Sequence, residues 1–150
     1  MHSSNRAAAT TMATLSILAS AIAFTAPQAG ATVTSVRVET GQSFGSSADA
    51  RGTGCSYPVT VITDPGKEVV LLDQIGDDPK TADYKQFQPY ELIADASGVA
   101  RATWTPDRKG PHKIVVLELL DGDDFDVYLP RTAMNVGTGI NLGPACAVLP

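Results

Sequence analysis

The sequence predicts an all-β protein, a two-layer antiparallel sandwich of about seven strands, on three observations. In Gly98–Leu120, Ala100, Ala102 and Trp104 alternate with Arg101, Thr103 and Thr105, and a β-branched apolar run follows a connection rich in proline and glycine. That pattern is two strands and a crossover. Turn chemistry recurs at Asp64-Pro65-Gly66-Lys67, Ala96-Ser97-Gly98 and Asp121-Gly122, a spacing suited to short strands. A helix through the central stretch would have to accommodate Pro106, Gly110 and Pro111, which it cannot do without breaking.

The first residues are read apart from the fold. Met1–Arg6 is short and polar, Ala7–Phe24 is uncharged and rich in Ala, Thr, Leu and Ile, and Ala29-Gly30-Ala31 supplies the small residues that a signal peptidase accepts. Met1–Ala31 therefore reads as a secretory signal peptide cut at or near Ala31, and its alanine- and threonine-rich run is a poor membrane anchor. The mature chain would be 119 residues with ten Lys or Arg against sixteen Asp or Glu, a formal charge of −6. No basic tract offsets that charge, which excludes nucleic acid as a partner. With no further apolar span, the expected location is secreted, extracellular or associated with the cell envelope.

Taken in order, Thr32–Thr40 suits a first strand near a sheet edge, and the glycine- and serine-rich segment to residue 54 reads as an exposed loop anchored by Phe44 and Ala48. Residues 55–150 hold the main sandwich. Cys55–Ile62 is the second strand, with Cys55, Tyr57, Val59 and Val61 on one face; Pro58 implies an edge or a bulge. Glu68–Asp73 is the third. Gln74–Pro89 reads as a long irregular connection, with a short helical turn over Thr81–Gln88 that packs Tyr84 and Phe87 inward. Tyr90–Asp95, Val99–Thr105, His112–Leu120 and Phe125–Leu129 complete the set, and Ala133–Gly137 adds a last short strand. Cys55 and Cys146 are an even pair in an exported chain, most simply one disulfide, and closing so long a loop stabilises by about 4–5 kcal/mol at most.

The central stretch resembles the latter half of bacterial immunoglobulin-like domains of exported and cell-surface proteins. The matching positions are Gly98, Trp104, Thr105, Pro106, Gly110, His112, Ile114 and Val116; Cys55, Tyr57 and Val59 resemble the second strand of that fold. Val136-Gly137-Thr138-Gly139 with Cys146 resembles the ending of small exported actinobacterial proteins that carry one such domain. The resemblance covers about Cys55 to Cys146 and implies an immunoglobulin-like sandwich. These are packing and turn positions, so it implies no activity.

No stretch reads as an active site, and no catalytic residue or cofactor is expected. No serine lies in a nucleophile-elbow pattern, and His112 at a strand start reads as structural. Asp121, Asp123, Asp124 and Asp126 alternate about a glycine turn. They are either a solvated hairpin tip or candidate ligands for a weakly held calcium ion, joined by Asp73, Asp77 and Asp78 if the loops meet. Glu68–Asp73 and His112–Leu120 are apolar on both faces, where a sandwich strand needs only one. Val69, Leu71, Val115, Leu117 and Leu119 are accordingly candidates for a surface that meets a protein, an envelope component or a second copy. Cover by the Gln74–Pro89 loop or the chain ends and a cleft for an apolar small molecule are the competing explanations. The expected function is an exported, non-catalytic binding or structural module; the alternatives are an extracellular carrier or inhibitor using loops or a cleft, and, least favoured, an enzyme.

Overall fold

A computed structural model describes residues 32–45 and 51–149. The leader, Ala48 and Pro150 lie outside the described residues. The described chain is all-β, with eleven strands: β1 Ser35–Val38, β2 Ser43–Gly45, β3 Arg51–Gly52, β4 Tyr57–Ile62, β5 Glu68–Ile75, β6 Asp83–Ile93, β7 Val99–Trp104, β8 Gly110–Leu119, β9 Phe125–Tyr128, β10 Met134–Asn141 and β11 Cys146–Leu149. Among the described residues no helix is long and apolar enough to cross a membrane.

One layer is the antiparallel sheet β1-β4-β7. The other runs β2-β11-β10-β8-β5-β6, with β9 beside the far end of β8 and β3 beside β10. β10 and β11 extend the second layer and add Val136 and Val148 to the core, and the other seven principal strands divide as the first, second and fifth (β1, β4, β7) in one layer and the third, fourth, sixth and seventh (β5, β6, β8, β9) in the other. That alternation between layers is an immunoglobulin-like arrangement.

The core follows from strand alternation. Tyr57, Val59 and Val61 of β4 and Ala100 and Trp104 of β7 are buried against Val69 and Leu71 of β5 and Ile114 and Val116 of β8. Cys55 and Cys146 form the disulfide, with Cα atoms 6.1 Å apart. It joins the residues just before β4 to β11 and so links the two layers. The Tyr57 hydroxyl beside it accepts hydrogen bonds from Gly52 N at 2.7 Å and Ser43 Oγ at 3.2 Å. Pro58 lies on the central strand of its sheet, as the second residue of β4, so the expected edge or bulge is not what admits it.

Both expected loops contain strand. The Gln74–Pro89 connection shrinks to residues 76–82, because β5 continues to Ile75 and β6 begins at Asp83. Lys85, Gln86 and Gln88 are exposed on β6, the edge strand, where polar side chains belong and where no apolar run is needed to specify the pairing. Phe87 does pack inward, but Tyr84 is exposed. The glycine-rich segment before Cys55 contains β2 and β3, which pair parallel with β11 and β10. Glycine permits this crossing: a Cβ at Gly139 would lie 2.2 Å from the Thr53 carbonyl oxygen.

The turn from β6 to β7 is closed by Asp95, which accepts hydrogen bonds from the Ser97 and Val99 amides, the Ser97 hydroxyl and Arg101. These, led by the Ser97 hydroxyl, hold its carboxyl well below the usual carboxylate range.

Candidate functional site

The sheet β6-β5-β8-β9 has a second apolar face, directed away from the core. Across its strands Val70 pairs with Leu117 and Leu117 with Val127; Leu72 pairs with Val115, and Leu119 with Phe125. Val70 and Val115 are buried, while Leu72, Leu117 and Leu119 are half-buried. Around them Ile93 is 70% exposed, Val127 52%, Phe125 50% and Leu129 48%. Because side chains directly opposite on neighbouring strands lie about 5 Å apart, these residues form one contiguous surface.

The expected surface is therefore corrected in part. Val115, Leu117 and Leu119 do share the outer face, but Val69 and Leu71 belong to the core and are replaced by Val70 and Leu72. In β5 both phases of the alternation are apolar, so composition cannot say which faces inward. The register with β8 decides it, placing Leu71 opposite Val116. The Gln74–Pro89 segment does not lie over this face as a loop, since most of it belongs to the same sheet.

The rim of this face is acidic at one end. Glu68, Leu119, Leu120 and Asp121 line a hollow of about 550 Å³ with Gly66 and Lys67. Asp121, Asp123 and Asp124 are exposed on the turn between β8 and β9, where Leu120 N donates to the Asp124 carbonyl at 3.0 Å, and Glu91 is exposed on β6. Asp126 departs from the other three. It is half-buried and paired in register with Glu118. Asp73 is buried inside the sandwich, and Asp77 and Asp78 are exposed at the other connection. Among the described residues no group of three or more His, Cys, Asp and Glu side chains is arranged to hold a metal ion.

The interior contains polar chemistry that the alternation pattern conceals. Asp73 shares the inward phase of β5 with Val69 and Leu71. Its Oδ2 accepts from Trp104 Nε1 at 2.8 Å and its Oδ1 lies 2.8 Å from His112 Nδ1. His112 Nε2 lies 3.0 Å from the Arg108 carbonyl, and the imidazole edge meets the Trp104 ring with centroids 5.5 Å apart. Both ring nitrogens of His112 are thus engaged, and its side chain is fully buried. It has no free nitrogen with which to act on a substrate. A cleft of about 320 Å³ opens beside this group between β6 and β7, bounded by Phe87 and Trp104. Its remaining lining is Asp73, Lys85, Gln86, Gln88, Thr103 and Thr105, polar residues set around the two aromatic rings.

Glu118 is the second charged residue in the inward phase, four residues beyond Ile114. Its side chain is fully buried. Oε2 accepts from Thr32 N at 2.9 Å, Val33 N at 3.2 Å and Thr63 Oγ1 at 3.2 Å; Thr32 Oγ1 lies within 2.9 Å of both oxygens, and Lys67 Nζ is 3.4 Å from Oε1. Burial is the largest single influence and raises its pKa, but the hydrogen bonds from Thr32, Lys67 and Thr63 together outweigh it, so the carboxyl titrates below the ordinary glutamate value. Glu118 did not stand out as a site residue by composition, and Asp73 did so only as a possible calcium ligand, not as a buried partner of Trp104 and His112. The readable signal is a carboxylate in phase with core valines and leucines.

No protein-family model matches the chain, and no curated protein matches it significantly. Among solved structures, the ASH / PapD-like domain of human CEP192 (PapD-like domain 7) is 12% identical, aligned over 85% of this chain and 97% of that one, with a TM-score of 0.34. Identity and score are both too low to carry a partner or an activity across.

Proposed function

We propose that this chain is an exported, non-catalytic binding module whose outer β6-β5-β8-β9 face docks a protein partner, at the cell envelope or in the extracellular medium. One observation carries the reading: Ile93, Phe125, Val127 and Leu129 are exposed on a face whose centre, Val70 and Leu117, is also apolar. Contiguous apolar surface rimmed by charge is the composition of a protein-docking site. The charge selects the partner's chemistry. Glu68, Glu91, Asp121, Asp123 and Asp124 outnumber Lys67 at one end of the face, while Lys113 lies farther along it, and the chain carries a formal charge of −5, so the complementary partner presents an apolar contact bordered by Lys or Arg at that end. Export is supported by the leader-like composition of Met1–Ala31 and by the disulfide, which suits an oxidising compartment.

The test places a photo-crosslinking residue at position 127 of the full chain in a host that exports it, and identifies the crosslinked peptide by mass spectrometry. The expected product is one protein, joined through an apolar segment flanked by basic residues and lost in Phe125→Lys. A crosslink to a peptide of this same chain, to lipid, or to no partner would overturn the reading.

A further inference from the structure

Thr32, the first described residue, has its backbone nitrogen held by a buried carboxylate, 2.9 Å from Glu118 Oε2. The hydroxyl of the same residue reaches both oxygens of Glu118, and the next amide, Val33 N, also donates to it. The site as described is short of positive charge. Lys67 is its one nearby cation among the described residues, at 3.4 Å and 37% exposed. Opposite Glu118 in the β8–β9 register stands a second carboxylate, Asp126, whose Oδ2 is buried without a hydrogen-bond partner. A buried carboxylate whose one cation is a partly solvated lysine, with a second carboxylate in register beside it, is an unfavourable balance.

The cut expected from the sequence falls at or near this same atom. Ala29-Gly30-Ala31 is the small-residue signal for a peptidase, and Thr32 follows it directly. We propose that the chain is processed between Ala31 and Thr32, and that the α-ammonium group so released is the cation the Glu118 site is built to hold. Water adds to the Ala31 carbonyl carbon, the Ala31–Thr32 carbon–nitrogen bond breaks, Ala31 departs as a carboxylate, and the Thr32 nitrogen becomes an ammonium group. An amide offers Glu118 one hydrogen and no charge. An ammonium offers three hydrogens and a full positive charge, and hydrogen bonds between charged groups are roughly twice as strong as neutral ones. Processing would thereby complete the core at the end of the sandwich where β5, β8 and the first residues of the chain meet.

This inference rests on the export reading above, and the experiment separates the two. The full chain is expressed in an exporting host, and the intact mass and N-terminal residue of the secreted protein are determined. The protein is then exposed at neutral pH to a limiting amine-acylating reagent, in the native state and unfolded in urea with its disulfide intact. The expected result is an N-terminus at Thr32 whose α-amine is acylated at least tenfold more slowly in the native state than in urea. In Glu118→Gln that protection should shrink while the exposed Lys80 and Lys109 react as before. Retention of Met1 in the cells would overturn the export reading and this inference with it. A secreted protein beginning elsewhere than Thr32, or a Thr32 amine equally reactive in native and unfolded protein, would overturn this inference alone.

Discussion

The Asp73 carboxylate and the Trp104 indole nitrogen are buried 2.8 Å apart and connect the two layers of the sandwich, Asp73 from β5 and Trp104 from β7. The other oxygen of Asp73 is paired with His112. Removing the carboxylate in Asp73→Ala leaves a buried indole N–H and a buried imidazole without their partner. Stranding a member of such a network costs about 3–5 kcal/mol. We expect a loss of that size in the urea-unfolding free energy, and a loss below about 1 kcal/mol would show that solvent from the adjoining cleft replaces the missing acceptor.

Glu118 supports a prediction about acid. Its folded-state pKa lies below the ordinary glutamate value, so the unfolded chain binds its proton first on acidification. The stabilisation it contributes is fully present above about pH 4.3, the ordinary glutamate value, and is lost as pH falls through the lower folded value. Glu118→Gln should therefore be less stable than the parent at pH 7, and the difference should narrow steadily toward pH 3. Asp95 and Asp107 are also held below the usual carboxylate range, so the variant retains a residual acid slope. Urea midpoints measured across that interval check this, and a difference that stays constant with pH would contradict it.

Two glycines in turns separate conformational from steric cost. Gly98 has φ of 76° and Gly122 has φ of 83°, both in the left-handed region. A Cβ at Gly98 would come 2.2 Å from the Thr63 carbonyl oxygen, whereas one at Gly122 meets nothing within 4 Å. Gly122→Ala should cost only the backbone penalty, about 1–2 kcal/mol. Gly98→Ala must in addition move the β6–β7 turn away from Thr63, and should cost more. Equal unfolding free energies for the two variants would refute the steric part of this account.

The disulfide yields a paired prediction. Cys55 and Cys146 are 91 residues apart and link the chain before β4 to β11. Replacing both by serine releases the constraint on the unfolded chain and should cost about 2–5 kcal/mol. The same loss should follow reduction of the parent protein, whose mass should rise by two hydrogens; a parent already carrying two free thiols would end the comparison against the bridge.

How much of this was legible in the sequence depended on whether a residue's neighbour along the strand carried the same information. In β4, polar or exposed residues alternate with Tyr57, Val59 and Val61, so the inward face was readable. In β7, Ala100 and Trp104 were equally plain. In β5, Val69 to Leu72 are all apolar, and only pairing with β8 chooses between the two phases. The end of the edge strand β6 was read as the strand Tyr90–Asp95, but its first part was hidden because it is paired on one side alone and its exposed residues are polar, so Lys85, Gln86 and Gln88 resemble a loop. The burial of Asp73 and Glu118 was hidden for the opposite reason. Their composition suggests solvent, and what buries them is supplied from distant parts of the chain: Trp104 and His112 for Asp73, and Thr32, Thr63 and Lys67 for Glu118.

The division of the β5 and β8 residues between two faces can be tested by charge. Leu71 is buried in the core opposite Val116, while Val127 is half exposed on the outer face opposite Leu117. Leu71→Ala leaves a cavity between the layers and should cost about 2–5 kcal/mol. Val127→Lys puts an ammonium group where its stem can lie along Leu117 and its head can reach water, so the fold should change by no more than about 0.5 kcal/mol. The same substitution sets a charge in the middle of the proposed docking face and should remove partner binding, as Phe125→Lys should. The two measurements are independent. A Val127→Lys protein as unstable as Leu71→Ala would mean that the outer face is covered within the folded chain and is not a surface offered to a partner.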